Sequence, residues 1–355
     1  MSVHKIALPQ KILVGPGAID HINNVCTDLK IHGKIIILTG PHVKGVAGEY
    51  VYKILSNSNM ESELYVLNAK NPIYEIENIS EKLKTSSNVD CIFGVGGGKI
   101  IDMAKLLSLK NGIPYISIPT AASHDGIASP MASIKLFNGK YKPSIMASPP
   151  LAVVADSNII IKAPYKLLAS GCGDIIAKFT AIRDWRLAKK RINEYYGEYA
   201  ASLALMSANL IVKHAKNIRE LKEESVRTVV EALISCGVAM CIAGSSRPCS
   251  GSEHLFSHAL DIIAKKPALH GEQCGVGTII MMYLHGGNWQ RIKQTLSIIG
   301  APTTAKELGI EENEVIEAII KAKEIRKDRY TILHEKSLGW KEAENVASIT
   351  GVIKG

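Results

Sequence analysis

Residues 91–125 read CIFGVGGGKIIDMAKLLSLKNGIPYISIPTAASHD. A short apolar run, Cys91-Ile92-Phe93, breaks at Gly94-Val95-Gly96-Gly97-Gly98 and gives way to an amphipathic helical pattern from Ile100 to Leu109. Strand, glycine turn and helix together present free backbone N–H groups to a phosphate at the helix N-terminus. The consecutive glycines Gly96, Gly97 and Gly98 strip the turn of Cβ atoms, so a pyrophosphate can come close to the main chain. Lys99 adds a positive charge at the mouth of the turn. A second apolar strand, Tyr115 to Ile118, ends in Pro119-Thr120-Ala121-Ala122-Ser123-His124-Asp125. In a parallel sheet both strand ends open on one edge, where ligands bind. The pattern departs from G-x-G-x-x-G, because Lys99 stands at the third glycine position. A tight βα turn without a ligand would look similar.

Working outward, strand and helix alternate. Residues 11–15, 34–38 and 63–67 read as strands, with helices over 17–28, 43–56 and 73–84 between and after them. That alternation predicts a doubly wound parallel sheet. After Leu38 no carboxylate follows until Glu49, while His42 and Lys44 are close by. The adenosine ribose of NADP, with its 2′-phosphate, is therefore admitted as well as that of NAD. Residues 131–148 alternate around Asn138-Gly139, a hairpin signal, with Lys135, Lys140 and Lys142 at its tip. Residues 150–156 read as the last parallel strand. Beyond about residue 164 the periodicity is helical almost throughout: 166–188, 195–216, 223–243, 252–264, 273–284, 289–299, 311–327 and 341–353. The expected division is an α/β domain over 1–162 and an all-α domain over 163–355.

Composition excludes several classes. With 355 residues, 46% hydrophobic and 21% charged, the chain can bury two cores. No uninterrupted apolar run spans a bilayer and the N-terminus lacks a signal-peptide core, so no stable membrane insertion is expected. The formal charge is +9, yet basic residues are dispersed and not interleaved with aromatics. This disfavours nucleic acid and suits steering of an anionic small molecule. The seven cysteines are odd in number and form no C-x-x-C, so a reducing cytoplasm is the expected compartment.

The helical half carries three polar islands: Ser170-Gly171-Cys172-Gly173-Asp174, Ser250-Gly251-Ser252-Glu253-His254, and Leu269-His270-Gly271-Glu272-Gln273. Asp174, His254 and His270 could converge on one divalent cation. Two imidazoles and a carboxylate leave an open position, the pattern of a catalytic zinc site. His254 and His258, four apart, offer a competing metal pair, and hydrogen-bonded histidines without any metal fit the same spacing.

The motifs GGGKIID (96–102), PTAASHDG (119–126), ASP (128–130), GCGD (171–174), SGSEH (250–254) and HGEQCGVG (270–277) occur in this order. On them the chain resembles, over nearly its whole length, the sn-glycerol-1-phosphate dehydrogenases. These belong to the superfamily of glycerol dehydrogenase, iron-type alcohol dehydrogenase and dehydroquinate synthase. The resemblance implies a dehydroquinate synthase-like architecture and reduction of dihydroxyacetone phosphate to sn-glycerol 1-phosphate by NADPH or NADH, the step that sets the stereochemistry of archaeal membrane lipids. It further implies a homo-oligomer.

By the same resemblance Gly96, Gly97, Gly98, Lys99, Ile100, Ile101 and Asp102 receive the cofactor pyrophosphate. Thr120, Ala121, Ala122, Ser123 and Ser129 lie near the nicotinamide. Asp174, His254 and His270 hold zinc, and Asp125 and His258 touch substrate. Zinc polarises the carbonyl and stabilises the alkoxide left by hydride transfer. Asp125, His258 or a zinc-bound water starts the proton relay. Lys142 and Arg247 are the candidates for the substrate phosphate. Lys99 replaces the serine common in glycerol dehydrogenases, and Lys178, four after Asp174, replaces the extra histidine ligand of iron-type enzymes. The first exchange points to a phosphorylated substrate and the second to a three-ligand zinc site rather than a four-ligand iron site. Glycerol dehydrogenase, a dehydroquinate synthase-like lyase and a non-catalytic nucleotide-binding regulatory module remain as alternatives.

Overall fold

The computed structural model describes residues 3–68, 70–86, 88–133, 144–336 and 338–354. The chain divides into two compact units. One comprises the residues up to Ala122 together with Gly126–Pro164, and the other comprises Ser123–Asp125 together with the chain from Tyr165 onward.

The first unit is built on β1 (Lys11–Gly15), β2 (Lys34–Thr39), β3 (Ser62–Val66), β4 (Val89–Gly96), β5 (Tyr115–Pro119) and, after a small antiparallel pair β6 (Met131–Ala132) and β7 (Ile145–Met146), β8 (Ala152–Asp156). The six long strands form one parallel sheet in the order β1-β8-β5-β4-β2-β3. Helices α1 (Ile22–Asp28), α2 (Pro41–Val43), α3 (Glu49–Asn57), α4 (Pro72–Thr85) and α5 (Gly98–Asn111) supply the crossovers, and α6 (Ser157–Ile160) follows the last strand. Ile35 through Leu38 are completely buried, as a central strand covered on both faces requires.

The connection from β2 leads outward to β3, whereas that from β4 leads the opposite way to β5. The sheet's switch point therefore lies between the C-terminal ends of β2 and β4, at Thr39-Gly40 and Gly96-Gly97. The helical stretch expected over 43–56 opens instead with a π turn, Lys44–Gly48, before α3. The hairpin expected over 131–148 is present at its base, where Met131 pairs with Met146 and Ala132 with Ile145. Its tip, with Lys135, Lys140 and Lys142, lies outside the described residues.

The second unit contains α7 (Tyr165–Ile176), α8 (Lys178–Ile192), α9 (Glu198–Arg219), α10 (Glu223–Ala243), α11 (Ser252–Ile263), α12 (His270–Leu284), α13 (Trp289–Ile299), α14 (Ala305–Leu308), α15 (Glu312–Ile325), α16 (Ile332–Glu335) and α17 (Trp340–Ile349). The single helix expected over 166–188 is two, divided at Ala177. Helix α10 is long and apolar enough to cross a membrane, although Arg227 and Glu231 interrupt it. Two-thirds of its apolar window is buried against neighbours such as α9 and α7, which is the burial of a core helix.

The glycines of the β4–α5 turn divide their work. A Cβ on Gly94 would stand 2.9 Å from Ala104 Cβ, and one on Gly96 3.0 Å from Ile100 Cβ, whereas one on Gly97 would meet nothing within 4 Å. Gly94 and Gly96 let α5 lie against the sheet, and Gly97 opens space for a ligand. Gly94→Ala should therefore destabilise the fold by about 1–3 kcal/mol through overpacking, read as a lower denaturant midpoint. Gly97→Ala should leave that midpoint nearly unchanged.

Candidate metal and dinucleotide sites

Helix α5 begins with an extended N-cap, Gly97, that makes no side-chain cap hydrogen bond. The N–H groups of Ile100 and Ile101 turn back to the Gly97 carbonyl, at 3.0 and 3.2 Å. The first turn is thus free of any carboxylate or hydroxyl that would compete with a phosphate. Lys99 is exposed beside it, while Ile100 and Ile101 face the core.

Asp102 does something else. It is buried, its Oδ1 lies 3.1 Å from the Lys105 ammonium, and its Oδ2 accepts the Ser133 N–H at 3.1 Å. Lys105 continues to the Met131 carbonyl at 2.6 Å. Asp102 therefore ties α5 to the stretch that follows β6. Thr120 donates its N–H to the Gly96 carbonyl at 3.1 Å, joining the two strand ends, and Ala121 and Ala122 are buried beside it. Ser129 is buried with its hydroxyl 3.3 Å from the Met131 N–H. Lys44, proposed to tolerate a 2′-phosphate, is paired with Glu49 at 3.3 Å.

In the helical unit the three polar islands meet. Asp174 ends α7, His254 opens α11 and His270 opens α12, and α12 packs against both α7 and α11. Two glycines allow it. A Cβ on Gly173 would run into the Gly271 carbonyl, and one on Gly271 into the Ser170 carbonyl, so α7 and α12 cross backbone to backbone. The ligand atoms of Asp174, His254, His270 and Cys274 all lie within 4.8 Å of one another.

Each group is held from behind. His254 has Nδ1 2.8 Å from Glu253 Oε1, which leaves Nε2 facing Asp174 Oδ1 at 3.4 Å. Glu253 is itself fixed by the Gly251 N–H and the Thr180 hydroxyl, both at 2.6 Å. His270 Nδ1 lies 3.2 Å from the Ser257 hydroxyl, and Gln273 donates to that hydroxyl at 3.0 Å. A carboxylate or hydroxyl behind an imidazole is the support that metal-binding histidines use.

Asp174 is completely buried, so its charge needs partners. Its Oδ1 accepts from Lys178 Nζ at 2.8 Å and its Oδ2 from the Asp125 N–H at 2.7 Å. Lys178, also completely buried, reaches Asp125 Oδ2 at 2.7 Å. Burial alone would raise the Asp174 carboxyl, but the Lys178 ammonium and then His254 hold it well below the usual carboxylate range. Burial would likewise strip Lys178 of its proton, and Asp125 and Asp174 reverse that.

His258 lies one turn beyond His254, its ring stacked on His270 with centroids 5.7 Å apart. Burial pulls it down to about 4, Asp261 opposes this, and the two neighbouring imidazoles add to it. A second group, Asp125 with Cys236 and Cys249, meets the same distance limit, and its carboxylate shares the Lys178 ammonium with Asp174.

Arg247 does not fit the phosphate role given to it from the sequence. Its guanidinium is spent on Glu194, through both Nε and Nη2, and on the Tyr330 carbonyl at 2.9 Å. Glu253 and Cys274, both inside motifs quoted above, carry no role in the sequence reading. Glu253 adjoins His254 in sequence, where helical neighbours do not normally face each other, but Cys274 follows His270 by the same four-residue step that had singled out His258.

The iron-containing alcohol dehydrogenase family matches residues 13–164. The chain is 54% identical to glycerol-1-phosphate dehydrogenase [NAD(P)+] of Methanosarcina acetivorans, over 98% of this chain and 96% of that one. It is 51% identical to the protein of the same name from Methanothermobacter thermautotrophicus, over 99% and 100% of the two chains. Among solved structures it superposes on a probable glycerol dehydrogenase from Sinorhizobium meliloti with a TM-score of 0.79 and 19% identity, covering 98% of each chain.

Gly271→Ala should force α7 and α12 apart. We expect a loss of about 1–3 kcal/mol of stability, read as a lower denaturant midpoint, together with displacement of His270 from Asp174, because the same crossing carries both.

Proposed function

The chain belongs to the NAD(P)+-dependent glycerol-1-phosphate dehydrogenases, and from that premise we propose a zinc enzyme that reduces dihydroxyacetone phosphate to sn-glycerol 1-phosphate. Asp174, His254 and His270 would hold the zinc. The observation that carries this is the convergence of a buried carboxylate with two imidazoles whose other nitrogens are each supported from behind. Bound there, zinc would polarise the ketone carbonyl, and NAD(P)H would supply the hydride.

The chain's own groups do the rest. Lys178 keeps Asp174 ionised without competing for its second oxygen, which the Asp125 N–H holds in place. His258, stacked against His270, is proposed to hydrogen-bond a substrate hydroxyl. Asp125, linked to the Lys178 ammonium, and His258 are the chain's own groups that we place along the proton path to the alkoxide. Gly97 and the first turn of α5 would take the cofactor pyrophosphate, with Thr120 and Ser129 toward the nicotinamide. Lys142 is retained as the proposed phosphate contact. We further propose a cytoplasmic homo-oligomer supplying the glycerol phosphate backbone of archaeal lipids.

Initial rates with dihydroxyacetone and its phosphate, each with NADPH and NADH, test the substrate, and the chirality of the product tests the stereochemistry. Higher kcat/KM on the unphosphorylated ketone would make this a glycerol dehydrogenase. Lys142→Ala should raise KM for the phosphorylated ketone and leave that for dihydroxyacetone unaltered.

His254→Ala and His270→Ala should each lower kcat by at least about 1,000-fold, on the scale of losing one principal stabilising group. NADPH binding, followed by fluorescence titration, should change little in either. Full activity in either variant would remove that histidine from the site.

A further inference from the structure

We propose that Asp184 is a positioning residue for the metal centre, which caps the first turn of α11 from the adjoining helix α8 and so fixes where His254 stands. The inference rests on the reading of Asp174, His254 and His270 as a metal site, and deepens it.

His254 is the third residue of α11, within the first turn, whose N–H groups find no partner inside the helix. Such a turn is ordinarily held by a Ser, Thr, Asp or Asn side chain at the N-cap. The N-cap here is Gly251, which has no side chain to offer. Asp184 reaches across from α8 instead. Its Oδ2 accepts the Ser252 N–H at 2.7 Å and the Ser252 hydroxyl at 2.6 Å. The glycine makes room for this, because a Cβ on Gly251 would stand 2.6 Å from that same oxygen and 2.8 Å from Ala181 Cα.

The grip on α11 is double. Thr180 lies one turn before Asp184 on the same face of α8, and its hydroxyl donates to Glu253 at 2.6 Å. Glu253 in turn stands behind His254 Nδ1. Helix α8 thus holds residues 252 and 253, and the next residue is the imidazole whose Nε2 faces Asp174. The other Asp184 oxygen, Oδ1, accepts the Ile332 N–H at 2.7 Å and lies 2.9 Å from Nε2 of His285, the C-cap of the helix that opens with His270. Thr180, Asp184, Ser252 and Glu253 are all completely buried, so a deleted oxygen leaves donors that solvent does not reach.

A carboxylate that merely satisfied the core would support the fold without touching the metal. The full-length apoprotein separates the two, compared as wild type, Asp184→Ala, Asp184→Asn, Thr180→Val, Val226→Ala and His254→Ala. Each is measured for its denaturant midpoint and for its zinc dissociation constant by chelator competition. Val226, completely buried at the start of α10, is the control for lost packing alone.

We expect lower midpoints in the Asp184, Thr180 and Val226 variants. The zinc dissociation constant should rise about 10–100-fold in Asp184→Ala, the range for groups that orient a ligand from behind. Asp184→Asn should recover part of that loss, since its one amide oxygen keeps one of the two sets of donors. Thr180→Val should lose affinity in the same direction, and Val226→Ala should match wild type. With zinc saturating, kcat should fall in the Asp184 variants while KM for NADPH holds. Should Asp184→Ala fail to fold, Asp184→Asn and Thr180→Val decide the matter. Wild-type zinc affinity in those two, or an equal loss in Val226→Ala, would reduce Asp184 to a structural residue and leave the metal site standing. Failure of wild type to bind zinc, or undiminished binding by His254→Ala, would bring down the metal site and the role of Asp184 together.

Discussion

The helical unit is arranged around a carboxylate with no access to water. Asp174 sits at zero exposure, where an unpaired charge would cost several kcal/mol. The fold answers with an ammonium on one oxygen and a backbone N–H on the other. Both partners impose conditions. Lys178 must follow by one turn, across the break at Ala177, and must itself be balanced by Asp125. The N–H must come from Asp125, so a three-residue stretch of distant sequence is incorporated into the unit. Satisfying one buried charge thus gathers Asp125, Lys178 and Asp174 next to the histidines.

The α/β unit solves a different problem with glycine. Close packing of α5 on the sheet and an open helix N-terminus are opposite demands on one short turn. Gly94 and Gly96 serve the first by admitting Ala104 and Ile100, and Gly97 serves the second. The turn stands at the sheet's switch point, where helix dipole and free N–H groups are unopposed by a side-chain cap.

Much of this was legible in the residues. The alternation of apolar runs with amphipathic segments specified the parallel sheet because each βα unit obeys a local period. The three polar islands stood out because Asp, Ser and His interrupt otherwise apolar helices. What escaped depends on tertiary approach. Asp102 lies inside a motif associated with cofactor, but its carboxylate turns to Lys105 and Ser133. Arg247 looked available until Glu194, more than fifty residues earlier, was seen to bind it. The break at Ala177 leaves helical periodicity on both sides and so has no signature in composition. Glu253 was hidden by adjacency to His254, since chain neighbours on a helix usually diverge.

The route of the chain has a consequence for dissection. The polypeptide enters the helical unit at Ser123, leaves after Asp125, and returns for good at Tyr165. No single cut yields that unit whole. A fragment starting at Tyr165 would carry both histidines and Cys274, yet would strand an Asp174 oxygen without its donor and Lys178 without its second counter-charge. A cut after Pro164 would keep the α/β unit whole but take Ser123–Asp125 with it, so the helical unit could not have been borrowed or shed intact by simple truncation.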